Sequence, residues 1–364
     1  MKKTIITAAM SLFAAFAISC GSNNGKNKLV VEGDESKFDT LSYVIGVDFS
    51  NSLGRDFSNI TFSHDLLKKG MSTILLGGDE VTVEGKEINL ETIAEILPEF
   101  FNNYRQRTMT LMQNERAKTD STIQTVPAEQ LGFNPETMFV DDKECAIVSA
   151  ALGVDVGNTL LKRNLPLHTI WLFKAMDDAK AGSARMNNEE VNSFLRHYYS
   201  VVVPTNNRKA SEEWLSGIEN TSGVNKTASG LLYKIEEAGN MDKKAESDTA
   251  VVRVHYKGTL RDGKVFDASR FEDMPEARRQ MLKQYRPNDY DKNEPVEFPL
   301  NRVIKGWTEG LQLVGEGGKI TLWVPSELAY GERGAGQDIG PNEALRFDVE
   351  IVEVNPVKAD AETK

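Results

Sequence analysis

The pattern of apolar and polar positions changes about two thirds of the way along the chain. In the first part apolar residues recur at helical spacing, as at Leu41, Val44, Ile45, Phe49 and Leu53, which share one helix face. After a polar hinge at 221–230 the alternation has period two, which is typical of half-buried strands. The pattern therefore predicts an α+β protein, with a mostly helical region followed by an antiparallel sheet domain.

The helical region contains an internal repeat. SYVIGVDFSNSLGRDF at 42–57 is echoed by SAALGVDVGNTLLKRN at 149–164, and two further apolar segments follow each copy. A glycine inside a helix costs about 1 kcal/mol relative to alanine, so Gly46 and Gly153 at matching places indicate close helix packing. Survival of both glycines from a duplication is the alternative. We expect repeat 1 at 38–130 and repeat 2 at 131–222.

The later part predicts short strands around one short helix. The strands are expected at 231–237, 250–260, 296–300, 319–324 and 344–354, and the helix at 307–313. Arg261-Asp262-Gly263-Lys264 is typical of a hairpin turn. Between these strands, 272–285 has the spacing of an amphipathic helix.

The first residues have the order of an export signal. Lys2 and Lys3 precede the apolar stretch 4–17, which is too short to span a bilayer comfortably. Ala17-Ile18-Ser19-Cys20 resembles a bacterial lipobox, which implies that 1–19 is a signal peptide and that Cys20 carries acyl chains. A plain signal peptide with an incidental cysteine is the alternative. Residues 20–37 are predicted to be a tether and 355–364 a polar tail.

Composition and charge narrow the function classes. A chain of 364 residues is expected to hold about two or three domains. The net charge of −11 without a basic block argues against a nucleic-acid partner. With Cys20 lipidated only Cys145 remains, which leaves no intramolecular disulfide. The four histidines have no metal or triad spacing, so neither a metal nor a cofactor is predicted.

Five motifs in the sheet domain carry a family resemblance. VHYKGTL, KVFDAS, RVIKGWTEGL, ELAYGERG and LRFDVEI, in this order, resemble the FKBP-type peptidyl-prolyl cis/trans isomerases over residues 228–354. The resemblance implies a half-open antiparallel sheet around a short helix, with an apolar pocket that receives proline. It also implies an enzyme that twists the X-Pro imide without covalent chemistry, cofactor or metal.

The motifs imply a set of site residues. The implied catalytic residues are Asp267, Tyr330, Phe266 and Tyr256. The implied substrate-binding residues are Val303, Ile304, Trp307, Phe347, Val296 and Ile339. Trp307 would form the pocket floor, Tyr330 would hydrogen-bond a substrate carbonyl, and Asp267 would lie near the imide. The apolar members would also suit an ordinary core, so only the ordered set argues for a pocket.

The chain departs from the family pattern near the pocket. Val296 stands where the family usually has an aromatic residue, and Asp338 precedes Ile339 in a loop that is commonly apolar. The segment between Asp267 and Val296 is longer than in compact family members. We expect its helix, within 272–295, to lie beside the pocket mouth, where it grips clients or occludes the pocket. A surface insertion without a role is the alternative.

The two helical repeats resemble the dimerisation domain of macrophage-infectivity-potentiator-type isomerases. There, one such unit per chain pairs with that of another chain. Here the two copies are expected to pack together as a pseudo-dimer, which predicts a monomer. Pairing of each copy with a partner chain, which gives a homodimer, is the alternative.

The combined prediction is an isomerase that assists the folding of exported proteins. Its partners would be proline-containing, unfolded or exported polypeptides, and the membrane through the lipid on Cys20. Its expected location is the bacterial cell envelope, at the outer membrane facing the periplasm. The alternative function is a non-catalytic chaperone or peptide-binding module on an envelope lipoprotein.

Overall fold

The computed structural model of the protein describes residues 29–163, 165–336 and 338–355. They form two compact units, which divide between His197 and Tyr198. This division falls inside the range 131–222 that the sequence suggests for repeat 2. The expected signal peptide, Cys20 with its predicted acyl chains, and the tail after Asn355 lie outside the described residues.

The first unit is helical. Its helices are α1 (Thr40–Asp56), α2 (His64–Leu75), α3 (Ile93–Ala117), α4 (Asp142–Lys162), α5 (Thr169–Lys180) and α6 (Asn188–His197). Its short strands are β1 (Val30–Val31), β2 (Glu80–Val83), β3 (Lys86–Asn89) and β4 (Leu167–His168). Strand β1 pairs in parallel with β4, and Val30 is buried. The structure differs here from the tether expected at 20–37, because Val30 contributes apolar surface to the unit.

The helices of the two repeats are exchanged. Helix α1 of the first repeat packs along α5 of the second, and α2 packs along α4. A Cβ atom on Gly46 would lie 2.3 Å from the carbonyl oxygen of Leu172, and one on Gly153 would lie 2.1 Å from that of Leu67. Real Cβ atoms do not approach so closely, so both crossings require glycine. The close packing suggested by the repeated glycines is confirmed, and the repeats interlock within one chain.

Helix α4 is apolar enough to be mistaken for a membrane-spanning helix. It is long enough to cross a bilayer, and its most apolar stretch has a mean hydropathy of 1.3. However, 61% of that stretch is buried, and its small residues meet α2. Its composition is that of a core helix.

The second unit contains the sheet. Helices α7 (Val203–Glu219), α8 (Glu276–Tyr285) and α9 (Lys305–Gly310) accompany it. The strands are β5 (Asn225–Lys226), β6 (Leu232–Glu237), β7 (Asn240–Lys244), β8 (Val251–Thr259), β9 (Val265–Ala268), β10 (Val296–Pro299), β11 (Gly315–Glu316), β12 (Lys319–Val324) and β13 (Leu345–Val354). The main sheet is antiparallel in the order β10-β8-β13-β12-β6-β5, and β9 pairs with β8. The predicted α+β architecture is confirmed.

Helix α9 lies against the core face of the sheet. A Cβ atom on Gly306 would lie 2.4 Å from a methyl of Val324, and one on Gly310 would lie 2.6 Å from a methyl of Leu322. Both glycines therefore allow the helix to approach β12. The helix begins two residues before Trp307 and ends at Gly310, short of the predicted end at 313. Apolar spacing continues beyond it because Leu311 enters the core from the following turn.

The helix expected before β10 is confirmed as α8, which begins later than predicted. The prediction placed its beginning at residue 272, whereas a short turn covers Phe271–Asp273 and Pro275 precedes the helix. Pro275 has an extended backbone, and its fixed φ suits the position just before a helix. None of the residues of α8 is buried.

Candidate active site

An aromatic cluster surrounds Trp307. Its ring centre lies 5.2 Å from that of Tyr256, 5.5 Å from that of Phe298 and 5.2 Å from that of Phe347. Phe266 extends the cluster, 5.6 Å from Phe347. The interplanar angles at these contacts are 81–89°, the edge-to-face arrangement that aromatic rings favour. The result is an apolar surface with rigid walls.

Strand alternation and one short helix create this cluster. On β8, Val252 and Val254 are fully buried, and Tyr256 follows on the same face. Gly258 comes next, and a Cβ atom there would lie 2.6 Å from the ring of Phe266. Glycine thus leaves room for an aromatic ring over the strand. Trp307 reaches the cluster from the first turn of α9 and is 4% exposed.

The indole of Trp307 contains an unpaired donor. Among the described residues, its buried Nε1 has no hydrogen-bond partner. A buried donor without a partner costs about 1–3 kcal/mol. The indole is held instead by edge-to-face contacts with Tyr256, Phe298 and Phe347.

A carboxylate lies at the edge of the aromatic cluster. The hydroxyl of Tyr256 donates to Oδ2 of Asp267 at 2.7 Å, and Nη1 of Arg278 donates to its Oδ1 at 2.5 Å. Both oxygens of Asp267 therefore have a donor. Burial, together with the hydrogen bond to Asp267, raises the pKa of Tyr256 well above its usual range. Tyr256 stays protonated at neutral pH and remains a donor to the carboxylate.

Tyr330 supplies a second hydroxyl. It lies between the short turns Ser326–Leu328 and Gly331–Arg333 and is 40% exposed. Burial and the negative charge of Asp267 raise its pKa, so it too remains protonated at neutral pH. No other described residue forms a hydrogen bond with its hydroxyl, and the donor is available to a ligand.

The remaining predicted residues occupy different positions around the cluster. Val303 and Ile304 are half-buried against the core just before α9, and Ile339 is buried beside Ala335. Val296 is half-buried on the edge strand β10 opposite Val254 and lies outside the cluster that contains Trp307. Of the ten predicted pocket residues, seven therefore belong to or pack against the core cluster that contains Trp307. Asp267 joins its edge through Tyr256, the charge of Asp267 acts on Tyr330, and Val296 lies at the periphery.

Two residues of the site were not predicted from the sequence. Phe298 contacts both Tyr256 and Trp307. The sequence could have indicated it, since it is the aromatic residue of the predicted strand that became β10. Arg278 had no usable signal, because its contact with Asp267 depends on how the intervening segment folds. Within the described residues, no group of three or more His, Cys, Asp or Glu side chains is placed to hold a metal ion.

Comparison with known families matches both parts of the chain. The family model of the FKBP-type peptidyl-prolyl cis-trans isomerase matches residues 242–352. The family model of the domain amino-terminal to FKBP-type peptidyl-prolyl isomerase matches residues 146–235. These matches include the sheet unit and the helices from α4 onward.

Individual relatives extend over much of the chain. The FKBP-type peptidyl-prolyl cis-trans isomerase FkpA of Aeromonas hydrophila is 32% identical over 260 residues, covering 68% of this chain and 86% of the relative. The outer membrane protein MIP of Legionella longbeachae is 30% identical over 254 residues, covering 67% of this chain and 92% of the relative. The crystal structure of FkpA from Escherichia coli is 33% identical and covers 59% of this chain and 97% of that one, with a TM-score of 0.40. The resemblance carried by the five motifs is confirmed, and the chain belongs to the FKBP-type peptidyl-prolyl cis-trans isomerase family.

Proposed function

We propose that the protein isomerises X-Pro bonds of exported polypeptides in the aromatic cluster around Trp307. The observation that carries this proposal is the combination of perpendicular rings with only a few oriented polar groups at their edge. A proline ring is apolar, and the imide next to it presents carbonyl oxygens. The cluster offers an apolar surface to the proline ring, and the hydroxyl of Tyr330 offers a donor to a carbonyl oxygen.

The chemistry of amide rotation suits such a site. Rotation about the C–N bond interrupts resonance without breaking a covalent bond, and its barrier is about 18–20 kcal/mol. The planar amide is polar and well solvated by water, whereas the twisted form has lost much of its charge separation. An apolar site therefore favours the twisted form over the planar one, which is how differential binding lowers a barrier.

We assign the polar side chains to orienting roles. Tyr330 donates to a carbonyl oxygen of the substrate, since its hydroxyl is protonated and has no described partner. Asp267 lies beside the twisting imide, and Tyr256 holds one of its oxygens at 2.7 Å. Trp307, Val303 and Ile304 form the surface under the proline ring, with Phe266, Phe347 and Ile339 around it. Val296, at the edge, would contact only the flanking residues of the substrate.

The finer details of location and partners belong to the same proposal. We place the protein in a bacterial cell envelope, anchored through acyl chains on Cys20 at the outer membrane and facing the periplasm. The lipobox-like sequence before Cys20 supports the anchor, and one relative is named an outer membrane protein. X-Pro isomerisation takes tens to hundreds of seconds without a catalyst, so exported clients would fold faster in its presence.

The test is the isomerisation rate of X-Pro peptides. A soluble form of residues 21–364 should accelerate the reaction, and the Phe266→Ala, Asp267→Ala double variant should lose about tenfold or more of kcat/KM, because it lacks a wall and an orienting carboxylate. Asp248→Ala, at an exposed position of the same unit, is the control and should retain full activity. No acceleration by the folded protein with any residue before proline would instead support the non-catalytic, peptide-binding alternative.

A further inference from the structure

Helix α8 is held beside the aromatic cluster by contacts at its base. The segment that carries it connects β9, which bears Asp267, to β10, which bears Phe298. The ring of Phe271 packs at a tilt of 59° against that of Tyr290, with ring centres 5.0 Å apart, and its backbone N–H donates to Oδ1 of Asn293 at 2.7 Å. Lys257 of β8 pairs with Asp273 at 2.8 Å. These contacts close the segment into a loop and place α8 near β8 and β9.

Helix α8 contacts the carboxylate at the edge of the cluster through an ion pair. Nη1 of Arg278 lies 2.5 Å from Oδ1 of Asp267, while Tyr256 occupies Oδ2. Since α8 buries none of its residues, this contact is polar rather than a consequence of core packing. It neutralises the carboxylate that would otherwise make this edge of the cluster negative.

Arg278 keeps donors for a second partner. Its side chain is 46% exposed, and Nη1 makes its only hydrogen bond with the described residues. A guanidinium has five N–H donors in a planar fork that matches a carboxylate. The exposed part of the fork is therefore able to bind another carboxylate beside Asp267, the residue that the proposed function puts next to the twisting imide.

We propose that Arg278 determines specificity by binding an acidic side chain immediately before the proline of the client. This inference rests on the proposed isomerase function and deepens it. Without Arg278, Asp267 would repel an approaching aspartate or glutamate and attract a lysine. With Arg278 in place, Asp267 is compensated, and the remaining donors attract the acid. Clients with Asp-Pro and Glu-Pro bonds are thus favoured over those with Lys-Pro bonds.

Arg279 provides a matched control. It follows Arg278 on the same helix, but it binds the Glu276 carboxylate and the backbone carbonyl of Glu272, within its own segment. Replacing either arginine by glutamine removes the same charge from the same exposed helix. Only Arg278→Gln removes the charge that contacts Asp267.

The experiment compares kcat/KM for Glu-Pro, Gln-Pro and Lys-Pro peptides. The wild-type protein should favour Glu-Pro over Gln-Pro by about two- to fivefold, the effect typical of a partly exposed charge pair. Arg278→Gln should bring this ratio to about one or below, because the uncompensated Asp267 then repels glutamate, and it should raise Lys-Pro relative to Glu-Pro. Arg279→Gln should keep the wild-type ratios. The wild-type preference should also shrink between about 0.01 M and 1 M salt, as screening increases.

Specific outcomes would overturn the inference. If Arg278→Gln lowers Glu-Pro and Gln-Pro by the same factor, Arg278 only orients Asp267, and the specificity role is wrong. Equal loss of the Glu-Pro preference in Arg279→Gln would also contradict it, since helix charge alone would then suffice. A wild-type protein that accelerates all three peptides equally overturns only this inference, whereas one that accelerates none overturns the proposed function as well.

Discussion

Aspartates in this protein show how surroundings change a carboxyl group. Asp267 accepts a hydrogen bond on each oxygen and contacts a cation. Asp48 and Asp155, the third residues of Gly-Val-Asp in the two repeats, are instead half-buried. Burial raises the pKa of both, and the nearby charges of Arg55 and Lys162 only partly offset it. The helical unit therefore contains two carboxyl groups whose surroundings disfavour the charged form.

Replacing both of these half-buried aspartates should stabilise the helical unit at neutral pH. Their raised pKa means that the folded state binds protons more tightly than the unfolded chain. The protonated carboxyl groups therefore contribute stability that is fully present below the ordinary aspartate pKa of 3.8 and is lost as the pH rises through the folded pKa. The Asp48→Asn, Asp155→Asn variant does not lose this stability as the pH rises, because asparagine does not ionise. Its gain in the free energy of unfolding should be larger at pH 7 than at pH 4, as measured by urea denaturation.

The control for this experiment is an exposed carboxylate. Glu99 is exposed on α3 beyond the first turn, and Glu99→Gln should change stability little at either pH. An equal gain for the double variant at both pH values, or a loss at pH 7, would contradict the prediction.

At the scale of elements, the helical unit depends on two close helix crossings. Gly46 lies where α1 meets α5, and Gly153 lies where α4 meets α2. An added methyl group at either place would meet a backbone carbonyl, which cannot move like a side chain. Gly54 of α1 is not required by packing, because a Cβ atom there would have no other atom within 4 Å.

Replacing these glycines by alanine should distinguish the effect of helix packing on stability from that of helix propensity. Gly46→Ala and Gly153→Ala should each destabilise the protein by about 1–3 kcal/mol, the usual penalty for overpacking. Gly54→Ala, on the same helix as Gly46, should stabilise it by about 0.5–1 kcal/mol, because alanine is the better helix former. Thermal unfolding monitored by circular dichroism measures both effects. A neutral Gly46→Ala would mean that the α1–α5 crossing is looser than the structure indicates.

At the scale of the whole molecule, the two helical repeats interlock within one chain. Each repeat finds its helix partner in the same chain, and covalent linkage gives that pairing an effective concentration of roughly millimolar or more. The apolar faces that would otherwise join two chains are buried within the first unit, as Val44, Leu67, Leu152 and Leu172 illustrate.

We therefore predict that the protein is a monomer with one isomerase site. Light scattering on the soluble form of residues 21–364 should give a mass slightly below the 40.4 kDa of one full chain, at concentrations up to tens of micromolar. A stable dimer at about one micromolar would instead support pairing of the repeats between chains.

The sequence determined the elements and most of the site. Helical and strand periods depend on neighbouring residues, so α1, α4, β8 and β13 could be located from spacing alone. The five motifs identified the aromatic and polar residues around Trp307, because those residues recur in a fixed order in the family.

Only the tertiary structure decided the contacts that join distant segments. The apolar faces of α1 and α4 would suit helices of either repeat, and only packing shows that each pairs with the other repeat. The end of α9 was misplaced because Leu311 continues the helical spacing after the helix has ended. Arg278 meets Asp267 because the base contacts of a long loop position α8, and no local pattern records such a contact. Local spacing reports which face of an element is apolar, whereas its partner depends on the free energy of the whole fold.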